Sequence, residues 1–557
     1  MKRLLSFILV LMMALPLAAQ NVNAEYDRNA LTVIGVHHGD RYDAITDNYL
    51  QKYFPGRDKF DNNAVSPVYV QVGYSRFEKR EDNDARSFAV NHSSVIGSLL
   101  NQGKVPQQVI GRWFNRSQSG TMDLSLINKR AEYNATDQTF NIASAQALGE
   151  YLLHGDGIKL VDNSYVLVVD HSVPVREETR DSDTGKVTAV RWNTYAMGYL
   201  YKIDFKDAQR QALYAQWIYD TDDEATRKAK AAAFYTLDYP LHLVGLDAVL
   251  TGASYSTQDK NASDQKTMED AVKGCSRALI DHFEGKLEAW KVKTTIYKTS
   301  PVVSKVGKKE GLANLSRFEV MEYVLDQQGN VTTRRKGFVR ATEIADNTRS
   351  TKGKSPMSEF YQIAGGQLEP GMLLKEKKSA NFDLKALFYG GAAKGAGLEA
   401  DILLGMKTWG GCGHVRIGGT FWPYKAGSTG PVQSDGTVYQ LNTDINAIAV
   451  RMGFGYGLRP IRQVEFIPTA YLLADFLDSK ITEGEKQNSA FTKAGWGIEA
   501  GVDANITVFY PVKINVGAYY SAPLVGGALW QVYRDALKNL GQNRMGFTWR
   551  AGLVYEF

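Results

Sequence analysis

Residues able to do catalytic or metal chemistry occur in this 557-residue sequence as a few short groups. His37-His38-Gly39-Asp40 ends a strand-like run and His154-Gly155-Asp156 follows a helical one; histidine beside aspartate is the combination that acid–base catalysis and divalent-metal ligation use. The spacing works against a shared ion. Adjacent strand residues project to opposite faces, which separates His37 from His38, and Gly155 suits a helix C-cap. Asp181-Ser182-Asp183-Thr184-Gly185 begins like a calcium loop, but no glutamate completes it, so a hairpin turn accounts for it better. Asp220, Asp222, Asp223 and Glu224 fit the N-terminal cap and dipole of a following helix. The glycine-rich stretch 390–397 joins two strands and opens no helix, so it does not read as a phosphate loop. His414 has no serine or aspartate partner identifiable from sequence. No catalytic, cofactor-binding or metal-binding constellation emerges, and the expectation is a protein that is not an enzyme and carries no cofactor.

The elements that would have to position such residues divide the chain into four parts. Met1, Lys2 and Arg3, followed by an apolar run over 4–17, predict a secretory signal over 1–24, cleaved after Ala19 or Ala24. The first cysteine is Cys275, so no lipid-anchored terminus is expected. No later stretch reaches the roughly 18 apolar residues that a spanning helix needs, and any membrane crossing must be made by strands. Between 25 and 290, strand-like runs at 31–36, 68–72, 165–169 and 188–203 occur with helical patterns at 124–133, 143–153, 224–234 and 268–290. That mixture predicts a soluble mixed α/β domain. Residues 291–378 hold short strands only, near 294–297, 317–323 and 338–341, and predict a small β-module.

This module carries seventeen Lys/Arg against nine Asp/Glu, a local +8 in a chain of net +5, which leaves −3 for everything else. Such a face suits either an anionic partner, lipid headgroups included, or plain solvation. With 44% hydrophobic and 22% charged residues, a largely disordered chain is excluded. The two cysteines make no disulfide framework: Cys275 sits on a helical apolar face and Cys412 in a Gly-Gly-Cys-Gly turn, and a bridge between them is left open.

From 379 to 557 the pattern becomes eight alternating stretches separated by Gly-rich or polar turns, as lipid-facing and lumen-facing positions alternate in a transmembrane β-barrel. The sixth is the most regular: Trp496, Ile498, Ala500, Val502, Ala504, Ile506 and Val508 alternate with Glu499, Gly501, Asp503, Asn505 and Thr507. Pro468 interrupts the fifth. Connections near 411, 459–463 and 511 are tight, those over 424–440, 478–492 and 524–545 are long, and 391–397 is the one short outer loop. Short inner turns and long outer loops place both ends of the barrel inside. Trp530, Tyr533, Ala536 and Leu537 space as a small helix within the last long loop. The inward set is Asp383, Lys385, Glu399, Asp401, Lys407, Arg416, Arg451, Glu465, Asp475, Glu499, Asp503, Lys513, Arg550 and Glu556. An eight-stranded barrel is just wide enough for its own side chains, and unpaired charge there is costly, so a filled, salt-bridged lumen without an open channel is expected.

The final strand, in which Phe547, Trp549, Tyr555 and Phe557 share one face, resembles the terminal signature of bacterial outer-membrane barrels. The resemblance implies that these four residues are read by the barrel assembly machinery. With Trp113-Phe114-Asn115-Arg116, Ser164-Tyr165-Val166-Leu167-Val168 and the run 306–311, the layout is similar over most of the chain to Bacteroidota outer-membrane proteins that join a periplasmic α/β region to a C-terminal eight-stranded barrel. It implies an α+β multi-domain protein of a Gram-negative outer membrane with its N-terminal region in the periplasm. Beyond the resemblance, the expected partners are outer-membrane lipid and an envelope protein or peptidoglycan, with no nucleic acid, since the basic module would lie in a compartment that holds none. The leading expectation is an anchor for a structural or ligand-binding domain. A transport or export accessory, or small porin, is the alternative, and an outer-membrane enzyme stands behind both.

Overall fold

The computed structural model describes residues 29–45, 59–62, 65, 69–81, 83–127, 158, 160–325, 331–348, 356–392, 394–424, 431–434, 437–440, 445–478 and 494–557. The expected signal over 1–24, the helical pattern at 143–153 and the His154-Gly155-Asp156 group lie outside these residues.

The first sheet contains β1 (Asn29–His37), β2 (Phe60–Asn62) and β3 (Tyr69–Gln71), then, after helices α1 (Ala85–Gln102) and α2 (Val105–Trp113), β4 (Ser164–His171), β5 (Val175–Arg180) and β6 (Val187–Ile203). Helices α3 (Asp207–Ala215) and α4 (Glu224–Ala233) precede β7 (Leu241–Ser256), and helix α5 (Asp264–Lys286) follows it. β2, β3 and β4 all pair with β1 in parallel, and β6 runs antiparallel to β4, β5 and β7. Strands β1 and β4 are apolar on both faces because helices cover both. Ile34, Val36, Val166 and Val168 pack toward Ile96, Leu100, Val109 and Trp113 of α1 and α2. Leu31, Tyr165, Leu167 and Val169 pack toward Cys275, Leu279 and Phe283 of α5. The approach of α5 is close: a Cβ on Gly198 of β6 would stand 2.6 Å from Phe283 and 2.7 Å from Leu279. Helix α1 escaped the sequence pattern because its buried stripe is thin, Ala85, Ala89, Ile96 and Leu100 among Ser, Asn and His. Asp84 nonetheless caps it by accepting from the Ser87 N–H at 2.9 Å.

The second sheet is antiparallel, with β8 (Lys293–Thr295), β9 (Lys298–Thr299), β10 (Val302–Ser304), β11 (Arg317–Leu325), β12 (Val331–Glu343), β13 (Ser358–Gly365) and β14 (Leu373–Lys377) in the order β8-β14-β11-β12-β13-β10-β9. Phe318, Val320, Val339, Phe360 and Leu374 form its core. It begins just after Trp290, whose buried ring meets Phe60 at 4.7 Å and Tyr165 at 5.4 Å in the first sheet.

The third sheet closes. Its strands are β15 (Phe382–Gly391), β16 (Gly395–Met406), β17 (Cys412–Tyr424), β20 (Ile445–Ile461), β21 (Val464–Asp478), β22 (Ala494–Phe509), β23 (Val512–Gly526) and β24 (Phe547–Glu556), all antiparallel, with β24 pairing back onto β15. Strands β18 (Pro431–Ser434) and β19 (Thr437–Gln440) form a separate hairpin between β17 and β20, and helix α6 (Ala528–Asn539) precedes β24. All eight expected strands are present. Pro468 disturbs only one side: Pro468 pairs with Val502 on β22, while the β20 ladder passes from Gly455↔Thr469 to Leu458↔Phe466.

One register expectation fails. Lys407 does not face the lumen, because β16 and β17 shift register between Leu403 and Gly405. One slipped residue reverses every later side chain. Met406 therefore turns inward, 1% exposed, and Lys407 lies exposed in the following turn, its N–H bonded to the Gly411 carbonyl at 2.8 Å. The two cysteines are both free and buried: Cys275 lies in the α5 core, and Cys412 sits at the barrel rim with Leu315, Phe338 and Met406.

Candidate functional site

The barrel's outside is apolar. Leu398, Ile402, Leu404, Ile417, Met452, Leu472, Ile498 and Leu553 are exposed around its middle. Exposed aromatics gather at the long-loop end (Phe388, Phe421, Trp496, Tyr520, Phe547, Trp549) and at the short-turn end (Trp409, Phe509, Tyr555, Phe557). An apolar band between two aromatic girdles is the surface that a bilayer covers.

Inside, the alternate residues are buried charges, and they pair in tiers. At the long-loop mouth Asp475 accepts from Trp530 Nε1 of α6 at 3.1 Å and is clasped by Arg544. Trp530, Val532, Tyr533, Ala536 and Leu537 of α6 pack there with Tyr424, Ile445 and Leu477, so a helix stoppers the opening. Below it Arg451 donates to Glu499 at 2.8 Å and lies over the Tyr389 ring at 4.6 Å. In the centre Glu399 accepts from Lys385 at 3.1 Å, Arg550 at 3.0 Å and Tyr471 at 2.8 Å. Asp503 is held by Arg550 Nε at 2.7 Å and pairs with Arg416 at 2.7 Å. Nearer the short turns, Asp401 meets Lys385 at 2.9 Å and His414 Nδ1 at 2.8 Å, and Glu465 meets His414 Nε2 at 3.2 Å and Arg459 at 2.7 Å. Lys513 joins Asp383 at 2.9 Å and Glu556 at 2.7 Å.

Lys407 apart, every residue expected in the lumen is there and buried. Sequence reasoning missed two more, and the partners of a third. Arg459 was read as turn, whereas β20 runs on to Ile461. Arg544 lies in a loop, where no periodicity can place it. His414 was taken as solitary because its carboxylate partners come from β16 and β21.

The short-turn mouth is closed by the second sheet. Asn314 donates to the Met406 carbonyl at 2.8 Å and Tyr361 to the Arg459 carbonyl at 2.9 Å; the Phe338 ring stacks on Tyr510 at 3.8 Å. Arg340, 1% exposed, reaches Glu556 at 2.6 Å. The eight lumen carboxylates, those of Asp383, Glu399, Asp401, Glu465, Asp475, Glu499, Asp503 and Glu556, face seven Lys and Arg of the barrel and its loops, Lys385, Arg416, Arg451, Arg459, Lys513, Arg544 and Arg550. Among the described residues the β-module adds Arg340 and, 3.9 Å from Glu556, Arg317, and His414 lies between Asp401 and Glu465.

Elsewhere on this module the basic residues are largely paired. Glu322 takes Arg334 and Lys336, and Lys308 takes Asp346. Glu288 takes Lys291, Lys293 and Lys375. Burial works against ionisation of Glu288, yet the hydrogen bonds from Lys375 and Lys291 hold its carboxyl at about 2.

The first domain places His37, His38, Asp40, Asp170 and His171 at the carboxyl ends of its parallel strands β1 and β4, the usual place for a ligand crevice in such sheets. Most of their polar atoms are engaged within the domain, while Asp170 Oδ2 and His171 Nδ1 have no hydrogen-bond partner. His37 stacks on Tyr69 at 3.6 Å while His38, on the other face, meets the Tyr74 carbonyl at 3.0 Å and Asp170 at 2.8 Å. Arg76 clamps Asp40 (2.7 Å), Asp43 (2.5 Å) and the His171 carbonyl (2.8 Å). Burial disfavours a charged His38, but Asp170 and the Tyr74 carbonyl more than offset it and raise its pKa; His171, buried beside Arg76, is pushed down to about 3. Asp181 accepts from the Thr184 N–H in a β5–β6 hairpin turn, and Asp223 caps α4. No group of three or more potential metal ligands occurs among the described residues.

The fold and site together define a multi-domain protein whose closed eight-stranded antiparallel barrel is filled and covered at both ends. No protein-family model matches the sequence, and no curated protein does. Among solved structures, the chain is similar to the β domain of the Bordetella autotransporter BrkA, with 9% identity, 71% of this chain and 92% of that chain covered and a TM-score of 0.17. It is also similar to the outer membrane channel DcaP of Acinetobacter baumannii (10% identity, 70% and 97% covered, TM-score 0.13) and to OmpT of Vibrio cholerae (8%, 70% and 98%, 0.12). The barrel assignment rests on the chain's own closed ladder.

Proposed function

We propose that this protein is a non-conducting anchor in the outer membrane of a Gram-negative cell. Its apolar band meets lipid, its short turns face the periplasm, and its α/β domain is held there to bind an envelope protein or peptidoglycan. The observation that carries this reading is the closure of the lumen at three levels, by α6, by the paired charges and by the β-module. The mounting of the α/β domain supports it: Lys59 bonds Glu376 of β14 at 3.0 Å. We read that domain as a binding unit and not as an enzyme, because His38 is held by Asp170 Oδ1 and the Tyr74 carbonyl and Asp40 by Arg76, which leaves Asp170 Oδ2 as the one carboxylate oxygen of this group without a hydrogen-bond partner.

Two measurements test this. Purified protein in planar bilayers should show no single-channel conductance, whereas steady conductance would replace the anchor with a pore. Photo-cross-linking in cells from exposed positions of the α/β domain, such as Tyr219 and Val175, should capture one defined envelope component. Capture of nothing above background would remove the binding role.

A further inference from the structure

We propose that the β-module is a latch on the barrel's closing seam, with Arg340 as its pin. The seam is the ladder between the first and last strands, β15 and β24, and it is the one barrel pairing made between strands at opposite ends of the barrel sequence. Its inner end carries an electrostatic fault: Asp383 is the direct cross-strand partner of Glu556 on β24 and, on its other side, of Asp401 on β16, all three inside and buried. Like charges directly opposite oppose pairing. The barrel offers one cation to the seam's two carboxylates, Lys513, which bonds both.

The module brings two further cations to Glu556, Arg340 of β12 at 2.6 Å and Arg317 of β11 at 3.9 Å, and Arg340 is the closer. Arg340 donates through Nη2 to Glu556 Oε1 at 2.6 Å and to Ser379 Oγ at 3.0 Å, and through Nη1 to Asn381 Oδ1 at 2.6 Å and the Leu315 carbonyl at 2.9 Å. One guanidinium thus ties the entry of β15 to the end of β24. Arg317 of β11 adds a second grip, donating to the Phe557 carbonyl at 3.3 Å and to the Lys378 carbonyl, while Ser379 Oγ donates to the same Phe557 carbonyl at 2.8 Å. At the other inner turns the module's contacts are mostly those of neutral groups, such as Tyr361 and Asn314; its buried charge is concentrated at the seam. Because the Arg340 site is built from both strands, it exists only when the barrel is closed, so the module binds the closed state in preference to an open one and shifts the balance toward it.

The test uses the full chain folded in micelles, with hydrogen exchange read segment by segment. Arg340→Met should speed exchange of β15 and β24 amides on the order of a hundredfold, as expected when one partner of a buried pair is removed, and leave β20 and β21 within about twofold. Arg340→Lys should fall between. Adding Asp383→Asn to Arg340→Met should restore most of the seam protection, because it removes the opposed charge that Arg340 offsets. Equal loosening of all eight strands, an unchanged seam in Arg340→Met, or no rescue by Asp383→Asn overturns the latch. If Arg340→Met does not yield a folded barrel, the Arg340→Lys protein with and without Asp383→Asn decides the question in the same way.

Discussion

Arg550→Met examines whether the lumen is dry and closed or wet and conducting. The guanidinium is 1% exposed and is surrounded: Nε donates to Asp503 at 2.7 Å, Nη1 to Glu399 at 3.0 Å, and Nη2 to the Tyr519 and Tyr471 hydroxyls at 2.7 and 3.1 Å. Methionine keeps much of the apolar stem and removes the charge. Asp503 is then left with Arg416, and Glu399 with Lys385, Tyr471 and, at 3.4 Å, Arg416. In a water-excluding lumen, removing one partner of such a pair costs about 3–5 kcal/mol. In a solvated one it costs about 0–1 kcal/mol. Urea unfolding of protein folded into lipid vesicles, followed by tryptophan fluorescence and by the gel mobility of the folded form, measures the difference. The double variant Arg550→Met/Asp503→Asn, which returns the lumen to its original net charge, should recover at least half of the loss. A single-variant loss under about 1 kcal/mol would falsify the sealed lumen, since only water at the site could replace the missing charge so cheaply.

Three further outcomes follow from the α/β domain and the cysteines. The raised pKa of His38 means that its pairing with Asp170 contributes fully below the ordinary histidine value of about 6.5 and is lost as pH rises through the raised folded value. Calorimetry across this range should therefore show the α/β domain weakening on the alkaline side, and His38→Leu should flatten that slope; an unchanged slope would assign it to another group. Gly198→Val drives a side chain into Phe283 and Leu279 and should destabilise the domain by about 1–3 kcal/mol in thermal unfolding, whereas Gly185→Ala, at a turn with nothing within 4 Å, should show a smaller, purely backbone cost. Cys275, whose thiol burial pushes up to about 12, and Cys412 should both resist maleimide in the native protein and react on unfolding; rapid native labelling of either would contradict their burial.

Much of the barrel was legible because its signal is local. Strand count, the contrast of loop lengths and the helix around Trp530 and Tyr533 all follow from spacing within about a dozen residues. The α/β domain was harder to read. Its central strands β1 and β4 show as apolar runs, but α1 does not, because a helix packed by Ala85, Ala89, Ile96 and Leu100 lacks a wide hydrophobic stripe. Lys407 was misplaced by a bulge at Leu403/Gly405 that leaves no mark in the alternation before it. The engagement of His38 with Asp170 joins residues 132 apart, beyond the reach of any motif.

The sequence by itself determined which face of each regular strand turns to the lumen, because a strand turns successive residues to opposite faces until a bulge, as at Leu403/Gly405, reverses them. Tertiary structure alone decided how those charges are satisfied. Lys385 meets Glu399 across 14 residues of chain, Arg550 meets Glu399 across 151 and Arg340 meets Glu556 across 216. Which partners fall within 3 Å depends on the stagger at which eight strands close, and on a separate sheet reaching into the mouth.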